Sequence, residues 1–174
     1  GLITGDVNRD GKLDLLANSA QPTGDFPNSL VWFSVPKNSR AAPRWERHVF
    51  ADKDAPGLSH YLGFGDVNGD DRPDAAAAAK GGPTAEPGTG DWFAWWEAPT
   101  DSTGVWQKHL IADKQQGATN IHPADVNGDG TTEFISSRGH GRGVLLFAAP
   151  HWKRHDTNPQ LKIPPCHTIT TFDQ

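Results

Sequence analysis

The chain has 174 residues, enough for one domain with a hydrophobic core, and 16 Lys and Arg stand against 21 Asp and Glu for a net charge of −5. That balance argues against a nucleic-acid partner, and no apolar run is long enough to span a membrane as a helix. The single cysteine, Cys166, excludes an internal disulfide framework, while 19 Gly, 14 Pro and seven Trp suit many short strands joined by turns.

In chain order, the first feature is an acidic loop, Asp6 to Asp14, with oxygen-bearing side chains at Asp6, Asn8, Asp10 and Asp14. An apolar stretch follows from Leu13 to Ala17, then a Gly/Pro-rich loop, then an aromatic strand from Val31 to Pro36. The unit closes on Trp45 and His48. The same order then recurs. The second unit has Asp66, Asn68, Asp70 and Asp74, the stretch Ala75 to Ala79, the strand Trp92 to Pro99, and Trp106 with His109. The third has Asp125, Asn127, Asp129 and Glu133, the stretch Phe134 to Ser137, the strand Val144 to Pro150, and Trp152 with His155. The acidic loops start 60 and 59 residues apart. The repeats therefore run over about 1–59, 60–118 and 119–167, and a fourth is expected to begin at 168–174.

Each unit predicts four short strands, with β-branched and aromatic residues in the strands and Gly, Pro, Asn and Asp at the joints. Four strands per repeat at this period predict an all-β fold of β-propeller blades, with three blades visible. Three are too few to close a ring, so further blades (about seven in all) are expected to complete it, the alternatives being closure by a partner chain or an open stack of blades. The chain contains no Met and begins inside a repeat, as expected of a processed or truncated piece.

The loop spacing puts oxygen ligands at positions 1, 3, 5 and 9, and position 7 adds a backbone carbonyl at Lys12, Arg72 or Thr131. Oxygen-only ligation suits Ca²⁺ better than Mg²⁺, and no soft ligand favours zinc or copper. An EF-hand would need a bidentate Glu at position 12 between helices, whereas position 12 here is Ala17, Ala77 or Ser136. One such string is explained by turn chemistry alone, but three in register point to cation binding. In the second loop Asp71 replaces the Gly of position 6, where the turn requires positive φ, so the second site is expected to be the weakest.

These three loops and their strand context resemble the FG-GAP/VCBS repeats, including those of integrin α-subunit propellers. The resemblance covers nearly the whole chain. It implies three structural Ca²⁺ ions, each bracing the hairpin between the first two strands of a blade. The ligands would be Asp6, Asn8, Asp10 and Asp14; Asp66, Asn68, Asp70 and Asp74; and Asp125, Asn127, Asp129 and Glu133. Glu133 departs from the usual Asp by one methylene. The resemblance also implies an extracellular or periplasmic location, where calcium affinities of roughly 10⁻⁴–10⁻³ M suffice.

Strand alternation in a propeller places the acidic loops on one face, and the loops between second and third strands and between blades on the other, where ligands are expected to bind. His60, Tyr61, Asn120, His122 and His167 are expected there from the interblade loops, and Asp25, Glu86, Arg138, His140 and Arg142 from the loops between second and third strands. The Gly-flanked turn Arg138 to Arg142 is a candidate cradle for a uronate or sulfate, the alternative being a flexible hairpin with solvated arginines. A transition-metal site on these histidines is the less favoured alternative to hydrogen-bonded loop residues. His48, His109 and His155, and most Trp, are expected to serve packing. The expected function is a calcium-stabilised binding or scaffold module for a glycan or protein. The alternative is a carbohydrate-active enzyme of the polysaccharide lyase or sugar dehydratase kind, with His60 or Tyr61 as general base. A third reading is an assembly protein whose open sheet edges recruit a partner.

Overall fold

The computed structural model describes residues 1–157. Twelve strands form three four-stranded antiparallel sheets, each built from strands consecutive in the chain. Sheet one holds β1 (Leu2–Gly5), β2 (Asp14–Ser19), β3 (Ser29–Ser34) and β4 (Glu46–Ala51). Sheet two holds β5 (Ser59–Gly65), β6 (Asp74–Ala79), β7 (Trp92–Glu97) and β8 (Gln107–Ala112). Sheet three holds β9 (Asn120–Ala124), β10 (Glu133–Ser137), β11 (Val144–Ala148) and β12 (Lys153–Asp156). The four-strand repeat is thus present three times. The stretch expected to open a fourth unit lies outside the described residues, as does His167. Among the described residues no helix is long and apolar enough to cross a membrane.

The sheets meet along their first strands, β1 against β5 and β5 against β9. Small residues allow that approach. A Cβ on Gly63 of β5 would stand 2.3 Å from the Ile121 carbonyl oxygen of β9, and one on Gly5 of β1 would strike the Phe64 ring.

Sheet two is the middle layer, and its sequence shows why. Every residue of Ala75–Ala79 is fully buried. With side chains alternating across a strand, Ala75, Ala77 and Ala79 face sheet one, whereas Ala76 and Ala78 face sheet three. A strand buried on both faces shows no polar alternation, so this run of good helix formers is a strand by tertiary packing rather than by propensity. Strand β7 divides its aromatics in the same way. Trp92 and Trp96 join the core with Leu16, Leu30, Trp32 and Phe50 of sheet one, while Phe93 and Trp95 join Phe134, Leu145 and Phe147 of sheet three.

Of the Trp and His that close the units, Trp106, Trp152, His48 and His109 serve this packing as expected, whereas Trp45 belongs to neither core cluster. The His48 ring stacks on Trp32 with centroids 4.1 Å apart, and His109 stacks on Trp95 at 4.2 Å. His48 also shares a 3.0 Å hydrogen bond with Ser34, and His109 one of 2.9 Å with Glu97. In sheet three the partner of His155 is Leu146, and His155 is exposed.

Candidate functional site

Each acidic loop joins the first two strands of a sheet, and its ninth residue is the first residue of the second strand. The closing pairs are Gly5 with Asp14, Gly65 with Asp74, and Ala124 with Glu133. All three loops fold by the same hydrogen bonds. The carboxylate of position 1 accepts the N–H of positions 5 and 6: Asp6 from Asp10 and Gly11, Asp66 from Asp70 and Asp71, Asp125 from Asp129 and Gly130. The amide oxygen of position 3 also accepts the N–H of position 5, at 2.8 to 3.1 Å. Position 5 accepts the N–H of position 7, at Lys12, Arg72 and Thr131.

The backbone is left-handed at position 6 as the sequence required, with φ of 81° at Gly11, 64° at Asp71 and 82° at Gly130. Position 4 is left-handed as well, at Arg9, Gly69 and Gly128, which the sequence did not disclose because Arg9 is no turn signal. Since Asp71 alone lacks glycine at position 6, Asp71→Gly is expected to stabilise the protein by about 0.5–1 kcal/mol. A urea titration checks this effect; an unchanged or lower midpoint would contradict it.

The ninth residues are buried and carry a structural load. Asp14 accepts N–H groups from Val7 and Val35 at 3.2 Å each, and Asp74 accepts them from Val67 and Ala98 at 3.0 and 2.8 Å. These carboxylates therefore tie the acidic loop to the end of the third strand. The longer Glu133 accepts from Val126 at 3.1 Å and from the Asn127 side chain at 3.4 Å, bonding within its own loop. Burial pushes the Asp74 carboxyl up to about 6, partly opposed by its two backbone donors and reinforced by the charges of Asp70 and Asp66.

Among the described residues no three His, Cys, Asp or Glu side chains converge as a metal-holding group. The chain's own donors account for part of this. Lys12 pairs with Asp10 and Arg72 with Asp70, and the Asn68 and Asn127 amides donate to Asp70 and Asp129. The donor chemistry nevertheless fits a hard cation. All the side-chain ligands the loops offer are carboxylate and amide oxygens. The Asp10 hydrogen bond, with the charges of Asp10, Asp14 and Asp6, holds the exposed Lys12 ammonium above its ordinary value.

At the opposite end of the sheets the structure revises several positions. His60 and Tyr61 lie in strand β5, and Asn120 and His122 in strand β9, rather than in interblade loops. Pairing explains the difference, because both strands extend the ladder to Ala79 and Ser137. Between Ser59 and Leu62 the register shifts, so that His60 and Tyr61 together stand opposite Ala78 as a β-bulge, a device that re-aims side chains. Asn120 is buried and His122 sits mid-sheet opposite Ile135.

The bulge brings His60 beside Tyr61, ring centroids 4.7 Å apart, and beside His140 of the β10–β11 turn, at 5.6 Å. A groove of about 330 Å³ adjoins them, lined by Gln116, Arg138, His140, Gly141 and Arg142. Gln116 carries no sequence signal; its place follows from the loop packing. Asp25 instead lines a separate pocket of about 320 Å³ with Phe26 and Phe33 of sheet one.

No protein-family model matches the chain, and no curated protein matches it. The functional reading therefore stands on the loops, the groove and the resemblance carried by the repeats.

Proposed function

We propose that the chain is a segment of a calcium-braced β-propeller acting as a secreted binding or scaffold module for a glycan or protein ligand. The observation that carries this is the threefold recurrence of one acidic loop at one place in each sheet, down to the same carboxylate-to-backbone bonds. Turn formation needs only one or two acceptors. Four oxygen donors retained three times, with charge left over, call for a cation.

The blade reading is supported by sheets that meet along their first strands and by equivalent aromatics. Trp96 of β7 packs toward sheet one, and Phe147, at the same register in β11, packs toward sheet two. Phe33 holds that register in β3, on a face where a preceding blade would sit. Three structural ions suit a protein made for calcium-rich surroundings outside the cell.

Calcium is expected to raise the thermal midpoint. At a concentration roughly ten times Kd, each occupied site contributes about 1.4 kcal/mol. Scanning calorimetry of the chelated and calcium-loaded protein checks this. An unchanged midpoint, or the same shift with magnesium, would sink the calcium assignment.

The meeting of His60, Tyr61 and His140 beside Arg138 favours one second reading, a lyase or dehydratase acting on an acidic sugar. Ultraviolet absorbance during incubation with uronate polymers tests it, and the absence of any unsaturated product would exclude the lyase.

A further inference from the structure

We infer that the groove at the β10–β11 turn is a recognition site for the carboxylate or sulfate groups of an acidic glycan. The inference rests on reading that end of the sheets as the ligand-binding end, and it holds whether or not the acidic loops bind calcium.

The turn is a fixed platform. Gly139 N–H donates to the buried Thr119 hydroxyl at 2.8 Å, His140 N–H to the Gly117 carbonyl at 3.2 Å, and Gly141 N–H to the Arg138 carbonyl at 2.9 Å. A Cβ on Gly141 would lie 2.2 Å from the Gln116 carbonyl oxygen, and one on Gly117 would lie 2.3 Å from Gly141 N. The glycines thus serve close backbone contact, not looseness. Both arginines are presented from a clamped backbone, which lowers the entropic cost of binding.

Charge is left over at this platform. Lys12, Arg72, Lys108 and Arg154 are each paired with a carboxylate, but none of the ion pairs among the described residues involves Arg138 or Arg142. Arg138 Nε is buried with no hydrogen-bond partner. Burial, and next the charge of Arg154, press the Arg138 guanidinium downward from its ordinary value, opposed by the charge of Asp156. A guanidinium fork matches carboxylate and sulfate oxygens in a bidentate manner.

The surroundings select a sugar as the carrier. The groove of about 330 Å³ is of the size that holds one small ring. Gln116 offers both a donor and an acceptor to hydroxyl groups.

Calorimetric titration with three oligosaccharides of equal length tests the site: one sulfated, one of uronates only, one neutral. Binding of the sulfated or the uronate chain, weakened by salt, with no binding of the neutral chain, is the expected result; which charged chain binds identifies the anion. Arg138→Gln and Arg142→Gln should each weaken binding on the order of tenfold. Arg142 is exposed, so its variant reports on binding rather than folding. Arg44→Gln, in the β3–β4 loop, should leave affinity unchanged. Equal binding of the neutral chain, or full affinity in Arg142→Gln, would overturn the anion site and leave a glycan-binding module standing. No binding of any chain would overturn the site and the glycan reading together.

Discussion

Replacing Asp74 by alanine is expected to destabilise the protein by about 3 kcal/mol. The carboxylate is buried at the start of β6 and is the acceptor for two backbone donors, Val67 N–H and Ala98 N–H. Alanine leaves both without an acceptor, and each such loss costs about 1–3 kcal/mol. Asn at this position keeps one carbonyl oxygen, so Asp74→Asn should lose about half as much. Urea denaturation of both variants at equal slope measures this; equal midpoints for wild type and Asp74→Ala would refute the bridging role. Asp74 also sets a pH dependence of unusual sign. Its folded-state value of about 6 lies above the ordinary 3.8, so between these values the folded protein holds a proton that the unfolded chain has released. The contribution of Asp74 therefore favours folding fully below about 3.8 and declines as pH rises through 6. Bound calcium, by favouring the ionised form, should flatten that decline. A steeper slope with calcium than with chelator would contradict the assignment of Asp74 as a ligand.

Trp96→Ala is expected to cost about 3–5 kcal/mol. The side chain is fully buried between sheets one and two, its indole N–H donates to Asp54 at 3.0 Å, and Trp92 meets it edge-on at 6.0 Å. Removal opens a cavity against Ala75, its partner on β6, and a run of alanines cannot reach in to fill it. Trp96→Phe should retain much of the packing and lose the Asp54 bond. Denaturant midpoints decide this, and a loss under about 1 kcal/mol for the alanine variant would show that the two sheets do not depend on each other.

Much of this was legible in the sequence because a repeat compares the chain with itself. The strand order, the loop positions and the positive φ at Gly11, Asp71 and Gly130 all followed from aligned residue types. The packing role of Trp106, His48 and His109 did too, since a fixed offset recurs where a ligand set would vary, whereas the exposed His155 and the peripheral Trp45 depart from it. The remainder depends on long-range geometry. Nothing local shows that His60 and Tyr61 form a bulge, because the register of β5 is set by a ladder to β6, some twenty residues away. Arg9 gave no sign of its left-handed backbone, which the loop's Asp6 bonds impose. The paired backbone bonds of Asp14 and Asp74 were also hidden, for the donors Val35 and Ala98 lie just past the ends of the third strands. Gln116 joined the groove only through the contact of Gly117 with the β10–β11 turn.

Native mass spectrometry of the protein, with calcium and after chelation, tests the central claim most directly. The account predicts three chelator-sensitive calcium ions per chain, with one lost in each of Asp6→Asn, Asp66→Asn and Asp125→Asn. A chain that binds no calcium under these conditions would contradict it, and would leave the acidic loops as turns held by their own backbone.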